Sequence, residues 1–445
     1  MNTLLLFGIF AVLVLLGLPI AISLAASSAA VLFMNWGASS FTLLSDIMYA
    51  SVARFTLLAI PFFILAGVIM EHAGISKRLI HFASVCVGHY KSGIIFVTVS
   101  TAIFFAAISG SGPATVAAIG SMLIPALVRN GMSKESASAL LASSGAIGIV
   151  IPPSVAMIVF AVVAGDQLSV SIGRLFIAGI IPGLLLGIGF VLAAIYVKKK
   201  NQAKQAAPLN EIAAALEIPE KPNAKEIFQA FRDAIWGLLM PVIILGGIYG
   251  GVFTPTEAAV VAVVYGFLVG TLIYRELKLP NIYRILYEAS IQTASIMFIV
   301  SAASLFAYII TTEQIADQIA NGLLSISSNP IVLLLLINVL LLIVGAFIDA
   351  VSAFYIFLPI LIPVVLFLDM DPTVFGVLMT VNLAIGLFTP PVGVNLYVAS
   401  GIGKVKLHSI SRAILPFLFA ALVVLLLITY IPALSTFLPD LLGVN

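Results

Sequence analysis

Two stretches, AIGIVIPPS at 146–154 and AIGLFTPPV at 384–392, decide how the rest of the chain is read. Each sets a Pro-Pro pair near the middle of a long apolar segment, where a continuous helix would lose backbone hydrogen bonds and meet the proline ring. In a bilayer, a break of this kind strands polar backbone in hydrocarbon. It is tolerated only where it is buried in protein or lines a cavity. Two such breaks in matching positions point to a binding site for something that crosses the membrane.

The composition requires a membrane around them. Of 445 residues, 62% are hydrophobic and 9% charged, against about 25% charged in ordinary soluble domains. Apolar runs of roughly 20 residues, enough to cross a hydrocarbon core of about 30 Å, recur along nearly the whole length. Residues 2–34 are apolar too, but no basic region precedes them and no small-residue cleavage site ends them, so they are expected to be mature membrane segments. One cysteine, Cys86, excludes an internal disulfide framework and a multi-cysteine metal site. The formal charge of +2 gives no sign of a nucleic-acid partner.

A polar stretch from Lys198 to Asp233 divides two apolar halves of similar length. Compared at a fixed shift of 238 positions, 146–165 and 384–403 share seven identities in twenty. Roughly two are expected from so skewed a composition. The same shift pairs Pro125 with Pro363, Ser133 with Asp371 as helix N-caps, Gly165 with Gly403, and SIGR at 171–174 with SISR at 409–412. Pro19 and Pro255 pair at a shift of 236. Shared hydrophobicity does not produce coincidences of Pro, Gly and Arg.

The expected fold is an all-α polytopic membrane protein made of two inverted repeats, 1–197 and 233–445, joined by a cytoplasmic linker at 198–232. The first repeat reads as spans at 2–17, 19–35 and 53–71, an amphipathic stretch at 75–88, a re-entrant hairpin at 91–129, a broken helix at 134–165 and a span at 170–197. The second reads as spans at 233–250, 254–274 and 284–310, an amphipathic stretch at 313–326, a hairpin at 330–368, a broken helix at 371–400 and a span at 412–434. Five crossings per half, an odd number, invert the second relative to the first. With the linker in the cytoplasm, 18 of the 20 Lys and Arg fall at cytoplasmic ends, leaving only Arg54 and Arg174 outside. That is the asymmetry of the positive-inside rule. Both termini are then periplasmic.

The first hairpin turns at SGSGPAT, 109–115, which cannot continue a helix and offers hydroxyls and freed carbonyls to a small hard cation. Ser109, Ser111 and Thr115, with carbonyls around Gly148 and Pro152, would make one oxygen cage for sodium; the alternative is a Gly/Ser patch for helix packing. The second hairpin turns near GAFIDAVSA, 345–353, where Asp349 falls opposite Ser111 under the repeat. This intramembrane carboxylate has three open roles: sodium ligand, proton carrier, or cap of the following helix. Its partners would be Gly386, Thr389 and Val392 at the second break, with Asn395 and Asn382 one turn to either side.

Half-helices that start at the breaks and tips turn partly positive N-terminal ends toward the midplane, which suits an anionic substrate. The candidate substrate contacts are Ser111, Pro113, Thr115, Ser154 and Asn395. Arg54 reads equally as a carboxylate partner or a snorkelling surface residue, and Glu257 as a structural residue in the first turn of a span. An intramembrane serine hydrolase centred on Ser111 is a remote reading, because no histidine falls beside it inside a span. No phosphate-binding loop appears, which leaves an ion gradient as the energy source. No cofactor is expected.

FTLLAIPFFILAGVIM following Arg54, SGSGPATVAAIGSMLIPAL at 109–127, AIGIVIPPS, GIYGGVFTPTEAAVVAVVYGFLVG at 247–270 and GLFTPPVGVNLY at 386–397 resemble, in this order and spacing, the large membrane subunit of tripartite ATP-independent periplasmic (TRAP) transporters. The resemblance covers essentially the whole chain. It implies a sodium-driven importer of organic acids (dicarboxylates, sialic acid or sugar acids) in the bacterial inner membrane, working by an elevator mechanism. It also implies two protein partners, a small four-helix membrane subunit and a periplasmic substrate-binding protein. By the family pattern one sodium site would hold Ser109, Ser111, Gly148 and Pro152, and a second Asp349, Gly386, Thr389 and Val392. The competing reading is a carboxylate carrier or exchanger that works alone.

Overall fold

A computed structural model describes residues 2–90, 92–165, 167–204 and 222–444. Lys91, Asp166 and the linker core at 205–221, with Lys221, lie outside the described residues. Those described form helices and turns, with no strand among them.

The first half opens with α1 (Asn2–Leu15), α2 (Ile20–Trp36), α3 (Ser40–Val52), α4 (Ala59–His72) and α5 (Ile75–Val87). A helical hairpin follows, α6 (Gly93–Ser109) and α7 (Gly112–Arg129), then a broken pair, α8 (Lys134–Ala146) and α9 (Val155–Ala164), and the long α10 (Ile172–Lys204). The second half runs through α11 (Ala224–Tyr249), α12 (Pro255–Leu268), α13 (Leu279–Thr312) and α14 (Ile315–Ile326). Its hairpin is α15 (Pro330–Gly345) and α16 (Ala350–Phe367), and its broken pair α17 (Pro372–Gly386) and α18 (Val394–Gly403). It closes with α19 (Leu407–Ala413), α20 (Leu415–Tyr430) and α21 (Ala433–Leu441).

Local chemistry sets these boundaries. Ser133, Ser154, Asp349 and Asp371 cap α8, α9, α16 and α17 by accepting a backbone N–H with the side chain. Thr254 and Glu257 form a reciprocal capping box at the start of α12, so Glu257 has the structural role expected of it. Both Pro-Pro pairs interrupt helices, and both contain a cis bond, Pro152–Pro153 and Pro390–Pro391.

Among the described residues, eight helices are long and apolar enough to cross a membrane, or nine when the α19–α20 pair, bent by 50°, counts as one. Ten crossings were expected. α1, at 14 residues, spans only about 21 Å at 1.5 Å per residue, short of the hydrocarbon core, while Ile20–Val52 forms one 33-residue span. The helix α3 lies where no element was expected. At the linker, α10 carries its lysine run in helix as far as Lys204 and α11 begins at Ala224, so helix takes up both ends of the expected 198–232 segment. Lysine is a good helix former, and nothing at 198–204 stops the helix.

Two groups of helices result. α2 to α4 pack with α12 and α13, and α11 joins them through α5 and α12. The hairpins, the broken pairs, α10 and α20 pack on one another. The groups meet where α4 and α5 lie on α6 and where α13 and α14 lie on α16. Gly67 of α4 allows the approach: a Cβ there would lie 3.3 Å from Ser109 Cα at the first hairpin tip.

The polar ends sort into two sets. Asn2 and Asn35 both donate to the Glu313 carboxylate, at 2.9 and 3.0 Å. Arg174 donates to Asp440 at 2.8 Å and to the Val444 carbonyl at 2.6 Å, with Asp371 at 3.5 Å. Arg54 and Val444 line one cavity of about 550 Å³. In the other set Arg78 pairs with Glu276 at 2.7 Å beneath the Tyr274 ring, whose hydroxyl donates to the Asp233 carbonyl.

Candidate functional site

The first hairpin tip closes on the first break. Gly110 has φ +59°, and a Cβ there would lie 2.6 Å from the Pro153 carbonyl, so both the conformation and the contact require glycine. A Cβ on Gly148 would lie 2.6 Å from the Ser111 carbonyl and 2.9 Å from Thr115 Oγ1. The oxygens of this tip converge: Ser109 Oγ lies 3.0 Å from Thr115 Oγ1, which donates to the Ser111 carbonyl at 2.8 Å. Ser109, Ser111, Thr115 and Gly148 are therefore brought together. Ser154 sits one step away, donating to the Ile149 carbonyl at 2.6 Å while capping α9. Pro152 is buried in the same break, on the N-terminal side of its cis bond.

The second tip meets the second break backbone to backbone, Gly345 against Gly386, where a Cβ on Gly345 would lie 3.3 Å from Gly386 Cα. Asp349 Oδ1 accepts the Ser352 N–H at 3.0 Å and Oδ2 the Ser352 hydroxyl at 2.6 Å. Of its three open roles, helix capping is the one present in the geometry. Thr389 donates to the Ile385 carbonyl of its own turn. Val392 is half-buried three residues further along the same break. The breaks differ in surroundings: Ser136 to Val162 is buried throughout, whereas Pro391 and Val394 are exposed.

Asn395 belongs to the opposite clamp from the one the sequence suggested. Its Nδ2 donates to the Ala142 carbonyl in α8 at 3.0 Å, and its Oδ1 would lie 3.2 Å from a Cβ on Gly112. α18 thus rests on α7 and α8, and α9 rests on α16, so each half-helix crosses to the other repeat. A second polar group was not anticipated as a unit. Asn382 donates to Asn338 at 2.7 Å, and Asn338 donates to Thr429 at 2.9 Å, lacing α17, α15 and α20 in a fully buried row.

Both tips open on one cavity of about 260 Å³, which Ser109, Ser111, Pro113 and Asp349 line. Of the five expected substrate contacts, Ser111 and Pro113 are on its wall. Thr115, Ser154 and Asn395 are fully buried behind it. The first turn of α7 faces it without a side-chain cap, leaving backbone N–H groups available to an anion. The far wall is supplied by α4 and α13, with Glu71 and Gln292. Sequence reasoning missed both. Glu71 reads there as the polar end of a span.

Hairpin tips that close on broken helices around a shared cavity, inside a bundle of membrane-length helices, define a multi-pass membrane permease. The chain belongs to the family of the DctM component of tripartite ATP-independent periplasmic transporters, whose model matches residues 7–434. It is 43% identical over 432 residues to the isethionate TRAP transporter permease protein DctMQ of Oleidesulfovibrio alaskensis, covering 97% of this chain and 65% of that one, just under two thirds. It is 42% identical over 400 residues to the C4-dicarboxylate TRAP transporter large permease protein DctM of Pseudomonas aeruginosa, covering 89% of each. Its fold is similar to that of the Alcanivorax borkumensis YdaH transporter, with a TM-score of 0.58 at 13% identity, over 91% of this chain and 88% of that one.

Proposed function

We propose that this chain is the carrier subunit of a sodium-driven importer of a small organic acid in the bacterial inner membrane. The acid arrives on a periplasmic binding protein, and a small four-helix membrane subunit completes the complex. The observation that carries this reading is the pair of tip-to-break contacts, Ser111 with Gly148 and Gly345 with Gly386, opening on one cavity. At the first contact Ser109 Oγ, Thr115 Oγ1 and the Ser111 carbonyl already lie within hydrogen-bond distance of one another, a donor set of the oxygen type that hard cations take. At the second, Asp349 adds a carboxylate that sodium would share with the helix it caps.

The two helix groups support a moving part, α6 to α10 with α15 to α20, that slides against a scaffold of α1 to α4 and α11 to α13. The two repeats then have inverted orientation, with both hairpins re-entrant. The grouping of Asn2, Glu313, Arg174 and Val444 apart from Arg78 and Glu276 supports both termini at the periplasmic face. The test is uptake of radiolabelled acids into proteoliposomes holding the carrier and the small subunit. Uptake is expected to need an inward sodium gradient and the cognate binding protein. Equal uptake on a proton gradient without sodium would overturn the coupling, and equal uptake without the partners would make this a carrier that works alone.

A further inference from the structure

We propose that Glu71 sets the charge of the acid: the cavity takes a small monoanionic hydroxy acid in preference to a dianion. This deepens the transport reading and rests on it. Gly67 touches Ser109 at the first tip, and Glu71 lies one helical turn further along the same face of α4. Its side chain therefore lines the cavity that Ser111 and Pro113 line.

Three observations aim that negative charge into the cavity. Glu71 lies in the last turn of α4, where the helix dipole is negative and adds to its field. The neighbouring cations, His72 and Arg284, are shared with a second carboxylate: Arg284 donates to Glu288 at 2.7 Å, and His72 Nε2 faces Glu288 at 3.6 Å, so they do not belong to Glu71 alone. Asp349, the other described charge on the wall, has both oxygens engaged by Ser352. The rest of the far wall is mostly hydrocarbon, including Val68, Phe105 and Ile296, with Gln292 as its uncharged polar member.

An acid whose anionic group sits at the tip thus turns its other end toward Glu71. A hydroxyl there donates to the carboxylate, a charge-assisted bond. A second carboxylate there meets a like charge at about 6 Å, which at an effective dielectric of about 20 lowers affinity at least tenfold.

The test is ligand-dependent thermal stabilisation of the purified complex with the small subunit, in sodium buffer at pH 8, without the binding protein. Lactate and 2-hydroxyethanesulfonate are the monoanionic probes, and succinate and malate the dianionic ones. The hydroxy monoanions are expected to act at concentrations at least tenfold below the dianions. Glu71→Gln should shrink that ratio several-fold, and Glu71→Asp, which keeps the charge, should retain it. Dianions acting at equal or lower concentration in the wild type, or a ratio unmoved in Glu71→Gln, would overturn the proposal. Sodium-dependent uptake in proteoliposomes decides the transport reading whichever acids are preferred, so either can fail alone.

Discussion

Asn395 Nδ2 donates to the Ala142 carbonyl at 3.0 Å, joining residues 253 positions apart in the two halves of the chain. The second break is thereby fastened to the first clamp, so neither half of the site is complete alone. Asn395→Leu keeps approximate volume and removes the bond. Loss of a buried hydrogen bond costs about 1 to 3 kcal/mol. The expected outcome is a lower unfolding midpoint in detergent together with weaker uptake; an unchanged midpoint would mean that the crossing does not hold the halves together.

Two glycine substitutions address the tip-to-break contacts directly. Gly148→Ala drives a methyl into the Ser111 carbonyl, and Gly386→Ala drives one into Gly345. Each is expected to raise the sodium concentration for half-maximal uptake by about tenfold or more, equivalent to about 1.4 kcal/mol. Gly401→Ala is the control, because a Cβ there meets nothing within 4 Å. Sodium titration of uptake, normalised to protein abundance, gives the comparison.

For Asp349, capping and ion binding separate by substitution. Asparagine caps as well as aspartate, while alanine forfeits about 1 kcal/mol of cap. Asp349→Asn should therefore keep the unfolding midpoint and still raise the sodium requirement. A sodium curve identical to wild type would leave Asp349 as a cap alone.

The buried row Asn382–Asn338–Thr429 should behave as a unit. Asn338→Leu removes the member bonded to both others; Asn382 keeps its bond to the Leu378 carbonyl and Thr429 its bond to the Leu425 carbonyl, so the two lost bonds should cost about 1 kcal/mol each. Thr429→Val breaks the outer bond of the row, together with the threonine's own bond to the Leu425 carbonyl, but leaves the inner Asn382–Asn338 bond intact and should cost less. Thermal midpoints of the two variants and the double variant test the order, and additive effects would show that the row is not coupled.

The helix inventory was legible because a bilayer turns apolar length and proline breaks into strong signals. It failed where that contrast fades. α3, SFTLLSDIMYASV, carries Ser, Thr and Asp among its apolar residues and did not read as an element of its own. α19 is only seven residues long and meets α20 at a bend just before Pro416. Within the site, each hairpin tip could be matched to the break that follows it in its own repeat, as Ser111 was with Gly148. Asn395 could not, since its partner lies across the repeats and no local pattern marks it. Glu71 was hidden for another reason: at the end of an apolar run a carboxylate looks like a water-facing terminus, and only packing shows that a cavity reaches it.

Pro153 is buried and Pro391 exposed, so the two breaks, near twins in sequence, have different chemical addresses. A thiol-directed reagent would modify a cysteine placed at 391 and spare one placed at 153. The half-exposed Cys86, once replaced by serine, would leave no competing thiol. Tags and crosslinkers can thus be fixed to one repeat and not the other, and reagents supplied from one side of a sealed vesicle would report which face the second break shows.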